Sequence, residues 1–289
     1  MSGLLDMLGS KYPIIQGPIG ALNSARQVAA VAEAGGFGML ALGFVSNVDE
    51  VKRMVEEVRS LTDKPFGANI MLLNPLCPEI VKVLADYGIK TIATSTGSPK
   101  KIYPLIHELG MKGIHSVLSL HHAVRAAESG ADALVVSGSE AGGLRSTGPE
   151  LSTMILVPLV VENVDVPVVA AGGIADSRGY RAALALGAQG VEIGTRFIAS
   201  EESPAPREWK ELIVKAGDGS TTLISLGNMM MRVIMHPSFD ASKNYNLLEA
   251  MEGWTAPNFD LFPAGGGQVS ALIKEIKPIK EIIEEMVSS

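Results

Sequence analysis

Short runs of apolar and β-branched residues alternate with amphipathic segments along the chain as far as residue 195. Their spacing of roughly 20 to 30 residues is typical of βα units built around a parallel sheet. Near-continuous apolar character, rather than strict alternation, is expected of strands that are covered on both faces. Eight runs are predicted to be strands: Pro13–Gln16, Met39–Leu42, Pro65–Ile70, Thr91–Ser95, Gly113–Ser119, Ala131–Ser137, Pro167–Ala171 and Gly190–Thr195.

The segments between these runs carry the signals of helix starts and stops. Polar capping residues precede the predicted helices Arg26–Ala34, Val51–Leu61 and Tyr180–Leu186. Glycines such as Gly35 and Gly187 follow such segments, where a helix C-cap is expected. Eight strands fit a closed barrel better than a doubly wound sheet, which usually has about five or six. The sequence therefore predicts an α/β protein with a (β/α)8 TIM barrel.

The βα rhythm stops after residue 197, and the remaining chain is interpreted as an appended C-terminal helical segment. Three stretches are predicted to be helical, namely Glu208–Ala216, the Met-rich Asn228–Met235 and Val269–Val287. The glycine-rich run Ala264–Gln268 predicts a tight backbone approach or a hinge. The expected domains are a barrel at 1–200 and a helical extension at 201–289 packed on it.

Composition and charge narrow the function classes. The chain has 24 Lys and Arg against 31 Asp and Glu, a net charge of −7, which weighs against nucleic-acid binding. Its longest apolar stretch, Met154–Val161, is far below the roughly 20 residues of a membrane span. The first residues do not resemble a signal peptide, and Cys77 is the single cysteine. We expect a cytoplasmic protein with a small-molecule substrate, no nucleic-acid or membrane partner, and an apolar C-terminal face compatible with a homo-oligomer.

Glycine-rich loops follow the last two predicted strands, at the face where barrel enzymes place their sites. Ala170–Ile174 follows the seventh strand, and Gly194 with Thr195 follows the eighth. Glycines let main-chain N–H groups approach a phosphate closely, and loops at these two positions form the usual phosphate site of the architecture. The alternative is that these glycines only permit tight turns.

Several polar residues are placed near the same face. Asn69 ends the third strand, where its amide is either a ligand donor or a loop cap. His121, after the fifth strand, is a candidate acid–base residue, against the simpler interpretation of an exposed residue at a helix start. His115 is expected at the opposite face of the barrel. Arg145 is either an anion ligand for the substrate or a solvated loop residue, and no spacing of His, Cys and Asp predicts a metal site.

Six segments, in order along the chain, carry a family resemblance: Tyr12–Pro18, Lys64–Asn69, Gly130–Ala133, Glu140–Gly143, Ala170–Ile174 and Gly194–Phe197. Together they resemble the nitronate monooxygenase family, formerly called 2-nitropropane dioxygenases, which includes FMN-dependent enoyl-acyl-carrier-protein reductases. The resemblance implies FMN held on the barrel. It implies a phosphate grip by Gly172, Gly173, Gly194 and Thr195, with Asn69 and Ser119 bonding the ribityl chain or ring edge. Gly17, Pro18 and Ile19 would flank the isoalloxazine, and Ala141, Gly142, Gly143 and Gln268 would line the pocket near the ring.

One position departs from the family pattern. The resemblance implies that members which oxidise nitronates, and the enoyl reductases as well, usually read Glu-Ala-Gly-Gly-His, where the histidine supplies a proton-transfer or substrate-polarising group beside the flavin. Here the position is Leu144, which can neither accept a proton nor donate a hydrogen bond. Leu144 and Arg145 are therefore assigned to the substrate pocket, and a changed substrate is expected.

Three functions stay open at this point. The first is an FMN-dependent oxidoreductase that oxidises a small organic substrate or carbanion through the flavin. The second is an enoyl or quinone reductase for which NAD(P)H is the electron donor. The third is a barrel that binds a phosphorylated metabolite without redox chemistry. A family member that has kept FMN and lost oxidase chemistry is a further variant of the first.

Overall fold

The computed structural model describes residues 3–20, 22–237, 240, 243–246, 259 and 262–288. Eight parallel strands hydrogen-bond side by side in the order β1-β9-β8-β6-β5-β4-β3-β2, with bounds Ile14–Gln16 (β1), Gly38–Ala41 (β2), Phe66–Met71 (β3), Thr91–Ser95 (β4), Lys112–Val117 (β5), Ala133–Ser137 (β6), Val168–Ala171 (β8) and Gly190–Ile193 (β9). The ring closes between β1 and β2, where the Phe37 N–H donates to the Ile14 carbonyl at 2.8 Å. The predicted (β/α)8 barrel and all eight predicted strands are confirmed.

Helices cover the outside of this ring, and side-chain caps begin several of them. Ser24 accepts from the N–H of Gln27, and Asn47 accepts from the N–H of Glu50. The described helices are Leu4–Leu8 (α1), Ala25–Glu33 (α2), Val48–Leu61 (α3), Cys77–Asp86 (α4), Tyr103–Glu108 (α5), Leu120–Glu128 (α6), Thr153–Val161 (α7), Ser177–Ala185 (α8), Thr195–Ile198 (α9), Arg207–Lys215 (α10) and Ile279–Val287 (α11), with 3₁₀ turns at Pro99–Lys101 and Gln268–Leu272.

Two apolar layers hold the barrel together. Outward-facing strand residues pack against the helices, and inward-facing ones such as Ile15, Met39 and Val169 fill the barrel interior. Leu4 and Leu8 of α1 join the interior cluster. A Cβ on Gly190, the first residue of β9, would lie 2.6 Å from Leu4, so α1 closes the face where the strands begin. The opposite face, where the strands end, is left for a site.

A second sheet covers part of that opposite face, and the sequence did not predict it. Gly143–Arg145 (β7), Thr221–Leu226 (β10) and Met229–Ile234 (β11) pair antiparallel in the order β10-β11-β7. The helix predicted over Asn228–Met235 is therefore wrong. The backbone of β11 bonds to strands on both sides, and Met231 and Val233 bury their side chains in a cluster with Trp209. Tertiary pairing overrides the helix propensity of methionine here.

The last predicted helix is also divided. The stretch Val269–Val287 contains a 3₁₀ turn to Leu272, then irregular chain, and α11 begins only after Pro278. Proline lacks an N–H and cannot continue a helix from the preceding turn. The apolar face of α11, with Ile279, Ile282 and Ile283, is buried in the layer outside the barrel. The described part of region 201–289 therefore contains a β-hairpin as well as helices, and is not the purely helical extension that was predicted. The domain boundary at residue 200 stays a prediction.

Candidate functional site

A cavity of about 710 Å³ opens at the carboxyl ends of the barrel strands. That volume lies in the range of small-molecule and cofactor sites, roughly 300 to 1,000 Å³. Its lining joins the loops after the barrel strands to the second sheet and to residues 265–267. The face predicted from the strand pattern therefore carries a cavity large enough for a cofactor or substrate.

The floor of the cavity is built from inward-facing residues that are small or polar. Along it lie Ala41, Asn69, Ser95, Ser116, Ser137, Ala171 and Glu192. Small side chains leave room for a ligand to enter the barrel mouth. The Asn69 Oδ1 is 3.4 Å from the Ser95 Oγ, whereas the buried Asn69 Nδ2 has no hydrogen-bond partner among the described residues. A buried donor without a partner is costly, and a ligand in the cavity that accepts a hydrogen bond from it would remove that cost.

Glu192 is the acidic residue of this floor, and its place in the cavity was not predicted from the sequence. It lies on β9 between Ile15 of β1 and Ala171 of β8, both of which face the barrel interior. Its Oε2 is buried and has no hydrogen-bond partner in the described chain. Burial raises the pKa of this carboxyl to about 8, because a charge removed from water is penalised. At neutral pH Glu192 is therefore mainly a neutral acid.

The two glycine loops predicted to hold a phosphate line the cavity together. Gly172 and Gly173 have φ of 97° and 77°, a region that favours glycine. A Cβ on Gly172 would lie 2.9 Å from the Cβ of Ala141, so the loop also has no room for a side chain. Gly194 and Thr195 line the same cavity, and the Thr195 hydroxyl accepts from the N–H of Gly267 at 2.9 Å.

The loop after β6 packs directly against the C-terminal glycine run. A Cβ on Gly142 would lie 2.7 Å from the nitrogen of Gly267, and the N–H of Gln268 donates to the Glu140 carbonyl at 2.9 Å. The Glu140 carboxylate accepts from the N–H of Thr153 and so caps α7. The tight backbone approach predicted at 264–268 is present. Glu140 has a structural role, because its carbonyl bonds to Gln268 and its carboxylate bonds to the start of α7.

Apolar side chains form one wall above the floor, and Leu144 belongs to it. The pairing of β7 with β11 sets Leu144 opposite Met231. Ile19, Phe44 and Leu144 pack against the cluster that contains Met231 and Trp209, and all of them line the cavity. Leu144 therefore presents a hydrocarbon side chain to the cavity from strand β7.

Arg145 lines the cavity, yet its guanidinium is bonded within the protein. Its Nε donates to Glu150 at 3.0 Å, and its Nη1 and Nη2 donate to the Oγ and carbonyl of Ser137. The side chains of Arg145 and Glu150 are 1% and 8% exposed. A role for Arg145 as an anion ligand would require this buried pair to be broken.

His115 and two other predicted residues lie elsewhere than expected, whereas His121 lies where it was expected. His115 was expected at the opposite face, which is wrong: β5 begins at Lys112, so His115 reaches the carboxyl half of the strand and lines the cavity. Burial lowers the pKa of His115 to about 4, and its Nδ1 is 2.8 Å from the Thr94 Oγ1. His121 lines the rim as an exposed residue. Ser119 and Gln268 do not line the cavity, since Ser119 caps α6 and the Gln268 side chain is exposed.

The remaining predicted residues, Gly17, Pro18, Ile19, Asn69 and the loop 141–143, all line the cavity. Cys77 does not, and burial raises its pKa to about 11, which disfavours a reactive thiolate. Within the described ranges no group of three His, Cys, Asp or Glu could hold a metal ion. No described helix is both long enough and apolar enough to span a bilayer.

The fold is a parallel barrel with glycine-rich loops after its last two strands, and its cavity has a polar floor and an apolar wall. These features are typical of TIM-barrel enzymes, which bind their ligands at this face. Comparisons with known proteins give the family. The nitronate monooxygenase family model matches residues 2–86 and 78–246. The chain belongs to the nitronate monooxygenase family, whose members are flavoprotein oxidoreductases.

Individual relatives differ in the activity that their names state. One relative is a Rhodococcus jostii protein named (3aS,4S,5R,7aS)-5-hydroxy-7a-methyl-1-oxo-octahydro-1H-indene-4-carboxyl-CoA dehydrogenase. The two sequences are 36% identical over 222 aligned residues, and the alignment covers 77% of this chain and 62% of that protein. A Mycobacterium tuberculosis protein of the same name is 35% identical, over 80% of this chain and 65% of that protein. This chain thus spans somewhat less than two thirds of both relatives.

Solved structures agree on the architecture. A point variant of FabK from Thermotoga maritima superposes with a TM-score of 0.90 at 37% identity, over 98% of this chain and 94% of that one. A nitroalkane oxidase from Streptomyces ansochromogenes gives a TM-score of 0.86 at 25% identity, over 99% of this chain and 96% of that one.

Proposed function

We propose that this protein binds FMN in the cavity and acts as an FMN-dependent oxidoreductase on a substrate with an apolar carbon skeleton. The observation that supports the proposal is the composition of the cavity. Its floor is polar and carries buried atoms without hydrogen-bond partners, glycine-rich loops expose their backbone N–H groups to it, and one wall is apolar. FMN, when bound, supplies the transfer of electrons to and from an organic substrate. The family membership supports a flavin as the cofactor.

The residues of the cavity fit the three parts of FMN. The backbone around Gly172, Gly173 and Gly194 offers N–H groups without side chains, which suits a phosphate. The amide of Asn69 has a free donor at the floor, which suits a polar atom of the ribityl chain or ring. Gly17 has no side chain, and a Cβ there would already lie 3.3 Å from the Cα of Gly194, which suits the close approach of a flat ring.

The apolar wall selects the substrate. Ile19, Phe44 and Leu144 exclude water and present hydrocarbon, and burying an apolar group there gains roughly 25 cal/mol per Å². Leu144 has no group that removes or donates a proton, so a neutral nitroalkane, which must lose a proton before it is oxidised, has no base at this position. The two relatives whose names specify a CoA ester of a bicyclic carboxylic acid support an acyl thioester with an apolar skeleton. NAD(P)H is the electron donor in this proposal, which takes from the two relatives the acyl thioester and not the direction of electron transfer that the word dehydrogenase states.

Nitronate oxidation is the second candidate, because the family model and the nitroalkane oxidase structure both favour it. A nitronate is already deprotonated, so it does not require a histidine at position 144 for proton removal. The two candidates therefore differ in what delivers electrons to the flavin.

Anaerobic stopped-flow absorbance of the FMN-loaded protein separates them. We expect NADH or NADPH to bleach the flavin, and an enoyl thioester with an apolar chain to restore its colour. Rapid bleaching by ethyl nitronate together with no reaction with either nicotinamide would overturn the reductase assignment in favour of nitronate oxidation. Failure to bind FMN at all would overturn both.

A further inference from the structure

Polar atoms that lack partners are concentrated in the cavity. In the described part of the chain four buried side-chain atoms have no hydrogen-bond partner, and those of Asn69, Thr96 and Glu192 belong to residues that line the cavity. Folded proteins satisfy the great majority of such groups, so a cluster of exceptions marks where a ligand completes the bonding. Glu192 differs from the other two because its hydrogen-bonding role depends on whether it carries a proton.

In the described chain no positively charged side chain stands beside Glu192 on the adjacent strands β1 and β8. The strands on either side contribute Ile15, Gly17 and Ala171, and the rest of the floor contributes Asn69 with serine and alanine side chains. The other ionisable residues that line the cavity in the described chain are His115, His121, His122, Arg125, Glu140 and Arg145. Arg145 is bonded to Glu150, and Glu140 caps α7. Burial lowers the pKa of His115 to about 4, so its imidazole is neutral at pH 7.

Charge state determines what Glu192 offers to a ligand. An ionised carboxylate at this depth would be uncompensated, which is strongly unfavourable. A neutral carboxyl adds an O–H donor and keeps its acceptor oxygen. The buried Oε2 therefore fits a ligand atom that accepts a hydrogen bond, and the isoalloxazine ring has such acceptors in its carbonyl oxygens and ring nitrogens.

We propose that Glu192 binds FMN as a neutral carboxylic acid, donating a hydrogen bond from the cavity floor to an acceptor on the polar edge of the flavin ring. This inference rests on the proposed FMN site. It assigns to Glu192 a positioning role toward the flavin that ends when the carboxyl ionises.

The sign of the pH dependence follows from linkage. If FMN binds the protonated form, binding raises the pKa of Glu192 above its value of about 8 in the free protein. The part of the FMN affinity that depends on Glu192 is then constant between pH 6 and pH 7, where the FMN phosphate itself loses its second proton. Above pH 8 it falls by up to about tenfold per pH unit, since the proton must be restored before binding.

The test is FMN titration of the apoprotein, followed by flavin fluorescence quenching, from pH 6 to pH 9. We expect the wild-type protein to lose about tenfold in affinity at pH 9 relative to pH 7. Glu192→Gln keeps an N–H donor that does not titrate, so its affinity stays close to the wild-type value at pH 7 and constant to pH 9. Glu57→Gln, which removes an exposed carboxylate on α3, is the matched control and should keep the wild-type profile.

Three results would overturn the inference. These are a wild-type affinity that is flat between pH 7 and pH 9, one that increases over that range, or a fall in affinity that persists in Glu192→Gln. An increase would mean that an ionised carboxylate accepts from the flavin. If the apoprotein binds no FMN at any pH, the proposed function itself fails, whereas binding without the expected pH dependence removes only the role of Glu192.

Infrared difference spectroscopy gives an independent measurement on the FMN-loaded protein. A neutral carboxyl stretch at pH 7 that disappears in Glu192→Gln supports the inference, and its absence from the wild-type spectrum contradicts it. This readout does not depend on turnover or on the substrate. It also remains valid if Glu192→Gln changes the affinity for FMN by altering the packing of the floor.

Discussion

Arg145 and Glu150 form a buried ion pair that fixes the loop after β6, and Arg145→Met tests whether that is the role of the arginine. The two side chains are 1% and 8% exposed, with Nη2 to Oε2 at 3.0 Å. Methionine retains much of the aliphatic length but leaves the Glu150 carboxylate with the N–H of Ser146, at 3.1 Å, as its remaining donor in the described chain. Ser137 loses two donors as well.

The expected cost follows from the burial of the partner that remains. Removing one member of a buried ion pair typically destabilises a protein by about 3–5 kcal/mol, because an uncompensated charge is left behind. Removing both charges in Arg145→Met/Glu150→Gln should restore a substantial part of that loss, since no buried carboxylate remains. The double variant is therefore expected to be more stable than Arg145→Met alone.

Urea unfolding of the four members of this double-mutant cycle measures the effect. Arg207→Met is the control, because its ion pair with Glu211 is exposed, at 79% and 38%, and should leave the unfolding midpoint unchanged. A loss below about 1 kcal/mol for Arg145→Met, or a double variant no more stable than Arg145→Met, would refute the reasoning. Arg145 would then be available to hold an anionic substrate.

Three other changes test separate parts of the site. Gly172→Ala should weaken FMN binding about tenfold or more, because the backbone there has φ of 97° and the added Cβ would lie 2.9 Å from Ala141. Gly110→Ala is the control, since its φ is 70° and its Cβ would meet no atom within 4 Å, and it should leave FMN affinity unchanged. Leu144→His should allow nitroethane to bleach the bound flavin anaerobically, and equal bleaching in Leu144→Met would contradict a proton-transfer explanation. Cys77, buried with a pKa of about 11, should react with Ellman's reagent at pH 7 only after denaturant is added, and fast labelling of the native protein would contradict its burial.

The barrel was predictable because its strands are covered on both faces and are therefore apolar almost without interruption. The second sheet was not, because β7 has three residues and β11 has the composition of a helix. One signal was present, since Gly227-Asn228 between two strand-length runs is a recognised hairpin turn. Pro278 likewise indicated that the last helix could not run unbroken.

Some residues of the candidate site could be predicted from the sequence and others could not. Glycines at the ends of strands could be placed from position alone, because the barrel determines which loops meet. Glu192 was hidden inside an apolar run, and its orientation follows from register with Ile15 and Ala171, which sequence spacing does not supply. His115 was misplaced because the start of β5 sets how far along the strand it lies. Arg145 was recognised near the site, while its pairing with Glu150 required the fold.

The central claim is that the cavity binds FMN through the glycine loops after β8 and β9 and the floor at Asn69. The most direct measurement is equilibrium titration of the apoprotein with FMN and, in parallel, with riboflavin, which lacks the phosphate. We expect saturable binding of one FMN per chain, with riboflavin bound far more weakly because the phosphate contacts are lost. Equal affinity for the two flavins would contradict the phosphate cradle, and no binding of either would contradict the flavin site.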